Sequence, residues 1–294
     1  MEKTISKISW IGKRFNCLTI IKEPIFCYVG KRKRWKVKCQ CDCGNIKEIQ
    51  LCKLKNNNAQ SCGCLRKKLS AERFAKLNKK YTTNYNFFDN INNQENTYCL
   101  GLWCADGCNY LKKRKILIGM TDLDIIEKIK KALQYTGPIY KILPKKNTHK
   151  IEYRLGINSS KLCQDLIKWG CLPNKSYCLE FPKAKDVEGI PYHLMNHWIR
   201  GLFDGDGCLC KYKNGYWSVT IVGTKNICEG IKNYLKFGNV SINTKNSKTK
   251  HETWIWRTDS KNNIKNFLNY IYKDATIYLE RKYQKYQEFL KCLQ

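Results

Sequence analysis

Two apolar stretches with the same pattern lie 100 positions apart, and this duplication limits the folds open to the chain. They occupy residues 98–107 and 198–207. Each predicts an apolar helix that ends at an Asp-Gly pair, where glycine allows a left-handed C-cap. The matched positions are Gly101 with Gly201, Leu102 with Leu202, Asp106 with Asp206, and Gly107 with Gly207.

Small residues recur on one face of each predicted helix. Gly201 and Gly205 are one helical turn apart, and the first stretch has small residues at the same spacing. A strip of small residues lets two helix backbones approach closely. If the two helices pack side by side in parallel, Asp106 and Asp206 become neighbours at their C-terminal ends.

That position is electrostatically poor for two carboxylates. The C-terminus of a helix carries the negative end of the macrodipole, and a second carboxylate adds repulsion. A divalent cation would relieve both effects, and Mg²⁺ prefers oxygen ligands. We therefore expect Asp106 and Asp206 to bind magnesium and to be catalytic. The alternative is two solvated aspartates that only end their helices.

The charge of the chain points to a polyanionic partner. Fifty-five Lys and Arg against 24 Asp and Glu give a net charge of +31 in 294 residues. A generally basic soluble protein and a membrane-surface protein are the alternatives. The sequence has no secretion signal and no long apolar run. We expect an intracellular protein, in the cytoplasm of a bacterial, phage-infected or similar host cell, with no membrane partner and no secretion.

Cysteines and basic residues are concentrated near the N-terminus. Eight of the 18 cysteines precede residue 65, and two closely spaced groups of them could supply four thiolates to one zinc ion. The spacing inside each group is tighter than in most zinc sites, so it does not fix which four bind. The basic run beside them is expected to contact DNA phosphates through Lys31, Arg32, Lys33, Arg34 and Lys36.

The N-terminal stretch resembles a small zinc-ribbon-like module found at the start of many phage and mobile-element proteins. The resemblance rests on residues 11–15, 18–20, 41–44 and 61–65, together with Trp35. It implies a β-rich zinc-binding and DNA-contacting domain over residues 1–64. The ligands it implies are Cys41, Cys43, Cys62 and Cys64, with Cys39 as the first substitute to test.

A basic connector is expected over residues 65–86, either helical or extended. It could follow a nucleic-acid backbone or be a solvated linker. Two similar regions follow, residues 87–182 and 183–294, each with the predicted order helix, strands, helix, strands, helix. Asn109–Met120 and Cys208–Val222 are expected to be strand regions. Thr97, Thr121, Ser159 and Thr224 are the predicted N-caps.

Residues 87–294 resemble a single-chain LAGLIDADG homing endonuclease. The resemblance is carried by residues 100–107 and 201–207, and is strengthened by residues 173–176, 198–201 and 278–283. It implies an α+β fold in which two pseudo-symmetric αββαββα repeats form a saddle over DNA. It also implies a monomeric, Mg²⁺-dependent endonuclease that cleaves a long, asymmetric double-stranded DNA site during the homing of an intron or other mobile genetic element.

A second class of function shares this scaffold. Non-cleaving LAGLIDADG proteins include intron maturases and DNA-binding regulators, so intron RNA is a further candidate partner. An aspartate at the end of both motifs favours cleavage, because a protein that only binds nucleic acid has no need of it.

The resemblance also assigns residues around the aspartates. The backbone carbonyls of Ala105 and Gly205 would complete the magnesium ligands. Lys175 and Lys282, chosen by their position near the end of each repeat, would screen the charge of the transition state; otherwise they are phosphate clamps or surface charges. The residues expected to bind DNA from the saddle strands are Lys112, Arg114, Arg154, Lys211, Lys213, Lys250 and Arg257.

Overall fold

The chain divides into two compact units, Met1–Lys80 and Tyr81–Gln294. The structure is a computed structural model that describes residues 9–30, 32–78, 80–144, 150–185, 189–245 and 252–293. Within these ranges no helix has the length and apolar character needed to cross a membrane. The two residues Lys31 and Lys250, both expected to bind DNA, lie outside the described residues.

The N-terminal unit is built on an antiparallel sheet. Strand β4 is central in it, because β2, β3 and β5 all pair with it, while β1 pairs with β2. Helix α2 covers most of the stretch expected to be a connector. The elements are β1 (Arg14–Phe15), β2 (Leu18–Ile20), β3 (Ile25–Val29), β4 (Arg32–Cys41), β5 (Ile46–Gln50), α1 (Leu51–Lys55) and α2 (Cys64–Asn78).

The C-terminal unit contains the two predicted repeats. The first consists of α3 (Gln94–Ala105), β6 (Gly107–Tyr110), β7 (Lys115–Met120), α4 (Leu123–Ala132), β8 (Tyr140–Ile142), β9 (Glu152–Asn158) and α5 (Ser160–Lys168). The second consists of α6 (Met195–Asp206), β10 (Gly207–Lys211), β11 (Trp217–Gly223), α7 (Lys225–Leu235), β12 (Asn239–Lys245), β13 (Glu252–Thr258) and α8 (Lys261–Tyr272), and α9 (Glu280–Lys291) follows it.

Both repeats have the order αββαββα, and the predicted α+β fold is confirmed. Their antiparallel sheets have equivalent strand orders, β6-β7-β9-β8 and β10-β11-β13-β12. Side chains of β7 alternate between buried and half-buried, so one face of its sheet packs on the core. Helix α3 is buried almost all round, as expected of a helix enclosed by its neighbours.

Two predicted strand regions are hairpins. Asn109–Met120 is interrupted by a 3₁₀ turn at Leu111–Lys113, and Arg114 then takes a left-handed conformation with φ of 52°. The region Cys208–Val222 is likewise split into β10 and β11. Lys112, Arg114 and Lys213 therefore lie in turns rather than in strands.

The ends of the helices differ in part from the prediction. Ser159 and Thr224 are N-caps that accept hydrogen bonds from backbone N–H groups. Thr97 and Thr121 are not caps: Asn93 caps α3 through a capping box with Asn96, and Asp122 precedes α4. In α3 the two asparagines satisfy the first N–H groups reciprocally, which leaves Thr97 inside the helix.

The glycines after the two motif helices do not form left-handed caps. Gly207 is extended, with φ of −89° and ψ of 163°, and it begins strand β10. A β-carbon on Gly107 would lie 2.3 Å from the Trp103 side chain, and one on Gly207 would lie 2.1 Å from that of Phe203. The motif therefore has glycine here because an aromatic ring packs against the backbone where the helix becomes a strand.

Candidate active site and metal centre

The two motif helices α3 and α6 are in backbone contact. A β-carbon on Gly101 would lie 2.1 Å from the carbonyl oxygen of Trp198, and one on Gly201 would lie 2.1 Å from that of Tyr98. These are equivalent positions in the two repeats, so the contact is pseudo-twofold symmetric. Any side chain at either glycine would push the helices apart.

The same packing brings the C-terminal ends of the helices together. A β-carbon on Gly205 would lie 2.3 Å from that of Ala105 and 3.0 Å from an oxygen of the Asp106 carboxylate. Asp206 follows Gly205 directly and completes α6. The structure thus places the two predicted metal-binding aspartates side by side, with their side chains accessible to solvent.

Each aspartate has a raised pKa. Loss of hydration among the surrounding protein atoms raises the pKa of Asp206 to about 6, and the Asp106 carboxylate adds to the rise. Loss of hydration also raises the pKa of Asp106, while the ammonium groups of Lys282 and Lys175 oppose the rise. Within the described part of the chain, neither carboxylate forms a hydrogen bond or an ion pair. Two adjacent, unpaired oxygen donors fit a Mg²⁺ ion.

A buried lysine binds the end of each motif helix. The Nζ atom of Lys175 donates to the carbonyl oxygen of Ala105 at 2.7 Å. Lys282 donates at 2.9 Å to the carbonyl oxygen of Asp204 and at 3.5 Å to that of Gly205. It also reaches the carbonyls of Phe203 and Gly207. Each ammonium group therefore neutralises the negative end of a helix dipole.

Both lysines are buried, unlike ordinary surface lysines. Lys175 is 8% exposed and Lys282 is 4% exposed. Burial lowers the pKa of Lys282 to about 8, although the carboxylate of Asp204 favours its charged form. The structure places both residues at the predicted site, next to the carbonyls that were expected to bind the metal.

Asp204 is a residue that the sequence interpretation missed. It is fully buried, and its carboxylate accepts hydrogen bonds from Tyr98 Oη at 2.8 Å, Tyr272 Oη at 2.6 Å and the Leu279 backbone N–H at 2.8 Å. These donors come from α3, α8 and the segment before α9. Asp204 thus ties the motif helix to the segment that carries Lys282, three residues after Leu279.

Arg200, one turn before Asp204, forms a second buried network. It donates to the backbone carbonyls of Ile277 at 2.9 Å and Ile271 at 2.8 Å. It also lies 2.7 Å from Nδ1 of His197, which must be the acceptor because a guanidinium group can only donate. Burial and the Arg200 charge lower the pKa of His197 to about 4.

Three of the cationic side chains in the repeats that were expected to bind DNA have acidic neighbours. Arg154 is paired with Glu152, Arg257 with Asp259, and Lys211 lies 3.3 Å from Glu288. In the N-terminal unit, Lys33 lies 5.8 Å from the ring centres of Phe26 and Tyr28. Arg32, Lys33, Arg34 and Lys36 all belong to strand β4. Within the C-terminal unit, Arg154, Lys211 and Arg257 thus each lie beside a carboxylate of the same unit.

Four cysteines of the N-terminal unit form a cluster. The Sγ atoms of Cys41, Cys43, Cys62 and Cys64 all lie within 4.8 Å of one another. Cys41 and Cys64 are 3.7 Å apart, and Cys43 and Cys62 are 3.3 Å apart. Sulfurs around a tetrahedral zinc ion with bonds of about 2.3 Å are about 3.8 Å apart, so the arrangement fits zinc.

Local backbone structure forms this cluster. Cys41 ends β4, and a tight turn in which Gly44 has φ of 84° brings Cys43 back beside it. Hydrogen bonds from the Cys43 thiol and the Cys64 amide lower the pKa of Cys62 to about 6, which favours a metal-binding thiolate. Cys39, the proposed substitute ligand, is instead buried in the apolar core of the unit.

Comparison with known protein families gives a match within the first repeat. Residues 93–168 match the family described as LAGLIDADG-like domain. None of the curated proteins matches the chain. Among solved structures, the I-LtrWI LAGLIDADG homing endonuclease bound to target DNA has a TM-score of 0.44 and 15% identity, over 68% of this chain and 89% of that one.

Two further solved structures are similar at the same level. The LAGLIDADG meganuclease I-CpaMI bound to uncleaved DNA has a TM-score of 0.42 and 14% identity, over 68% of this chain and 90% of that one. The N-terminal LAGLIDADG domain of WhiA has a TM-score of 0.39 and 17% identity, over 62% of this chain and 83% of that one. The family match runs from the cap of α3 to the end of α5, and the second repeat has the same order of elements.

Proposed function

We propose that this chain is a monomeric, Mg²⁺-dependent endonuclease that cleaves double-stranded DNA at a long, asymmetric site. The observation that carries the proposal is the pair of carboxylates of Asp106 and Asp206 at the touching ends of two equivalent helices, neither with a hydrogen-bond or ion-pair partner among the residues that the structure describes. A protein that only binds nucleic acid gains nothing from two adjacent anions. A protein that hydrolyses phosphodiesters needs oxygen ligands for metal at this place.

Asp106 and Asp206 would hold the magnesium, with the backbone carbonyls of Ala105 and Gly205 as further ligands. Bound Mg²⁺ supplies a Lewis acid that polarises the phosphate and lowers the pKa of a water molecule. Because the pKa of each carboxylate is raised, protons compete with Mg²⁺ for these oxygens more than they would at an ordinary aspartate. Magnesium binding and proton release are therefore coupled.

The buried lysines would stabilise charge that develops on the phosphate. Lys175 and Lys282 are fixed by backbone carbonyls beside the aspartates, so their positions need no rearrangement during the reaction. The carbonyl oxygen of Ala105 accepts one hydrogen bond from Lys175, which leaves its second lone pair for the metal.

The basic residues of the turns and strands and the N-terminal unit would serve to bind DNA. Turns that carry Lys112, Arg114 and Lys213 would contact phosphates, while Arg154 and Arg257 would exchange their carboxylate partners for DNA. In the N-terminal unit, structural zinc on the four-cysteine cluster would stabilise the fold, and strand β4 would contact DNA through its basic residues.

A cleavage selection tests the proposal without knowledge of the target. The full chain is incubated with Mg²⁺ and a random double-stranded DNA library, and newly formed ends are captured and sequenced. We expect enriched sites with the wild-type chain and none with the Asp106→Asn/Asp206→Asn double variant. Loss of metal binding worth several kcal/mol lowers the rate about 100-fold or more.

Two outcomes would contradict the proposal that the chain is a nuclease. One is an absence of cleaved sites with the wild-type chain; the other is equal cleavage by the double variant, which would indicate a contaminating enzyme. Tight binding of structured RNA with all DNA left intact would instead support a maturase-like binder. Once a site is known, strand-specific labels on Asp106→Asn and Asp206→Asn show whether each aspartate serves one strand.

A further inference from the structure

The N-terminal unit contains a large basic groove beside the four-cysteine cluster, because Ser61 and Gly63, which flank Cys62, line it. Its volume is about 1060 Å³, and it lies between the surface of strands β4 and β5, helix α1, and helix α2. It is lined by cationic side chains from all four of these elements. These are Lys36 and Lys47 on the strands, Lys53 on α1, and Arg66 and Arg73 on α2.

The charges of the groove are unbalanced. Glu48 is the one carboxylate among its lining residues, against five cations. None of the five forms an ion pair within the described residues, and Lys47 donates only to the backbone carbonyl of Cys62, at 3.1 Å. Cations that converge on one groove without counter-charges repel each other, and a bound polyanion relieves that repulsion.

The face of helix α2 that lines the groove is distinct from its neighbouring face. Arg66 and Arg73 are two turns apart and, with Leu69 and Ser70 between them, they share one side of the helix. Lys67 and Lys68 are exposed on the same helix but do not line the groove. The helix therefore provides two basic faces, one of which belongs to the groove.

Neutral donors accompany the cations. Asn58 and Gln60, in the loop between α1 and α2, also line the groove, and side-chain amides donate hydrogen bonds to phosphate oxygens. The N-terminus of α2, a helix of 15 residues, is at the same end, where its dipole favours negative charge. This mixture of separated cations and amides suits a chain of phosphates better than a single small anion.

We propose that this groove binds the sugar-phosphate backbone of double-stranded DNA, as an anchoring site separate from the paired aspartates. The choice of DNA rests on the proposed function. The groove extends DNA contact beyond the basic run of β4 to the residues Lys47, Lys53, Arg66 and Arg73, and it gives helix α2 a direct role in binding.

Two matched variants of the full chain test the groove. Arg66→Gln/Arg73→Gln and Lys67→Gln/Lys68→Gln each remove two charges from the same helix. Affinity for a random-sequence duplex is measured by fluorescence anisotropy over a range of salt, in buffer without Mg²⁺ and without chelator. Because each phosphate contact contributes about 0.9 to the log-log salt slope, the groove variant should lose about 1.8 and the control less than about 0.5.

The outcomes separate this proposal from the nuclease proposal, because the assay detects binding when no cleavage occurs. Equal loss in both variants would show that only net charge matters and would overturn the groove. Loss of binding to an RNA hairpin with unchanged binding to duplex DNA would overturn DNA as the ligand. If the arginine variant loses its zinc or its folding transition, Lys53→Gln, at an exposed position of helix α1, replaces it, with an expected slope loss of about 0.9.

Discussion

The carbonyl oxygen of Trp198 lies 2.1 Å from the point where a β-carbon on Gly101 would be. The equivalent relationship holds between Gly201 and the carbonyl oxygen of Tyr98, also at 2.1 Å. The two motif helices are therefore held at backbone contact by the absence of side chains at two positions. The spacing of the two aspartates at the helix ends depends on that contact.

Replacing Gly201 with alanine is expected to be strongly destabilising. Its β-carbon would meet backbone atoms of α3 at 2.1 and 2.6 Å, and backbone does not move aside as a flexible side chain does. We expect a loss of about 3 kcal/mol or more in the free energy of unfolding. Urea unfolding measures it, with Gly223→Ala as the control because its nearest contact is a side-chain atom at 3.2 Å. Similar stability of both variants would contradict the close helix contact.

Replacing Lys282 with methionine is expected to lower the cleavage rate by about 10²–10³-fold, because a fixed charge beside the reacting phosphate is lost. Wild-type cleavage should also decline as the pH rises through about 8, where the Lys282 ammonium group loses its proton. Single-turnover rates on a cleaved site measure both effects.

Lys285→Met is the matched control for that experiment. Lys285 is exposed on the same helix α9 and donates at 3.2 Å to the carbonyl oxygen of Leu209, away from the aspartates. We expect this variant to cleave at close to the wild-type rate. A loss as large as that of Lys282→Met would mean that helix stability, rather than charge at the site, sets the rate.

Removing one cysteine of the cluster is expected to remove the metal. Cys62→Ser should lose about one equivalent of zinc and the folding transition of the N-terminal unit, because a three-thiolate site binds zinc more weakly. Zinc content by mass spectrometry and thermal unfolding measure this. Cys52→Ser is the control, since Cys52 is exposed outside the cluster. Cys39→Ala should keep its zinc; loss there would make Cys39 a ligand.

The stability of the chain is expected to fall in mild acid because of His197. Its pKa is about 4 in the folded state and 6.5 ordinarily, so between these values the unfolded chain binds more protons. This contribution is complete above pH 6.5 and is lost as the pH falls toward 4. The free energy of unfolding should drop by about 2 kcal/mol between pH 7.5 and 5.

Urea unfolding at several pH values checks the role of His197. The His197→Gln variant should show a pH dependence about 2 kcal/mol smaller over that range. His193→Gln changes an exposed histidine two residues before α6 and removes only the smallest of the three causes that lower the pKa of His197, so it should keep most of the wild-type pH dependence. Identical pH dependence in all three proteins would show that another group causes the acid sensitivity.

The sequence predicted the features that depend on local spacing. Small residues one turn apart in two matching stretches were enough to infer the helix contact and the adjacent aspartates. Ser159 and Thr224 were predictable caps because a cap bonds to the turn that follows it. Lys175 and Lys282 needed the family resemblance as well, because nothing in their local sequence indicates that they are buried.

Features built from distant segments were not predictable in this way. Asp204 accepts hydrogen bonds from Tyr98, Tyr272 and the backbone N–H of Leu279, which come together only in the folded chain. The basic groove could not be predicted from local sequence either, because the fold brings its strands, loop and helices together. The turn that contains Lys112 was mistaken for strand because apolar residues on both sides suggested one continuous extended segment.

The hydrogen bond from Tyr98 to Asp204 has a consequence for partner choice. Two copies of the first repeat could not form it, because Cys104 occupies the position equivalent to Asp204. Two copies of the second could not form it either, because Trp198 occupies the position equivalent to Tyr98. Expressed as separate polypeptides, the two halves should therefore associate as a heterodimer in preference to either homodimer, which means that the duplicated halves have lost the capacity to replace one another.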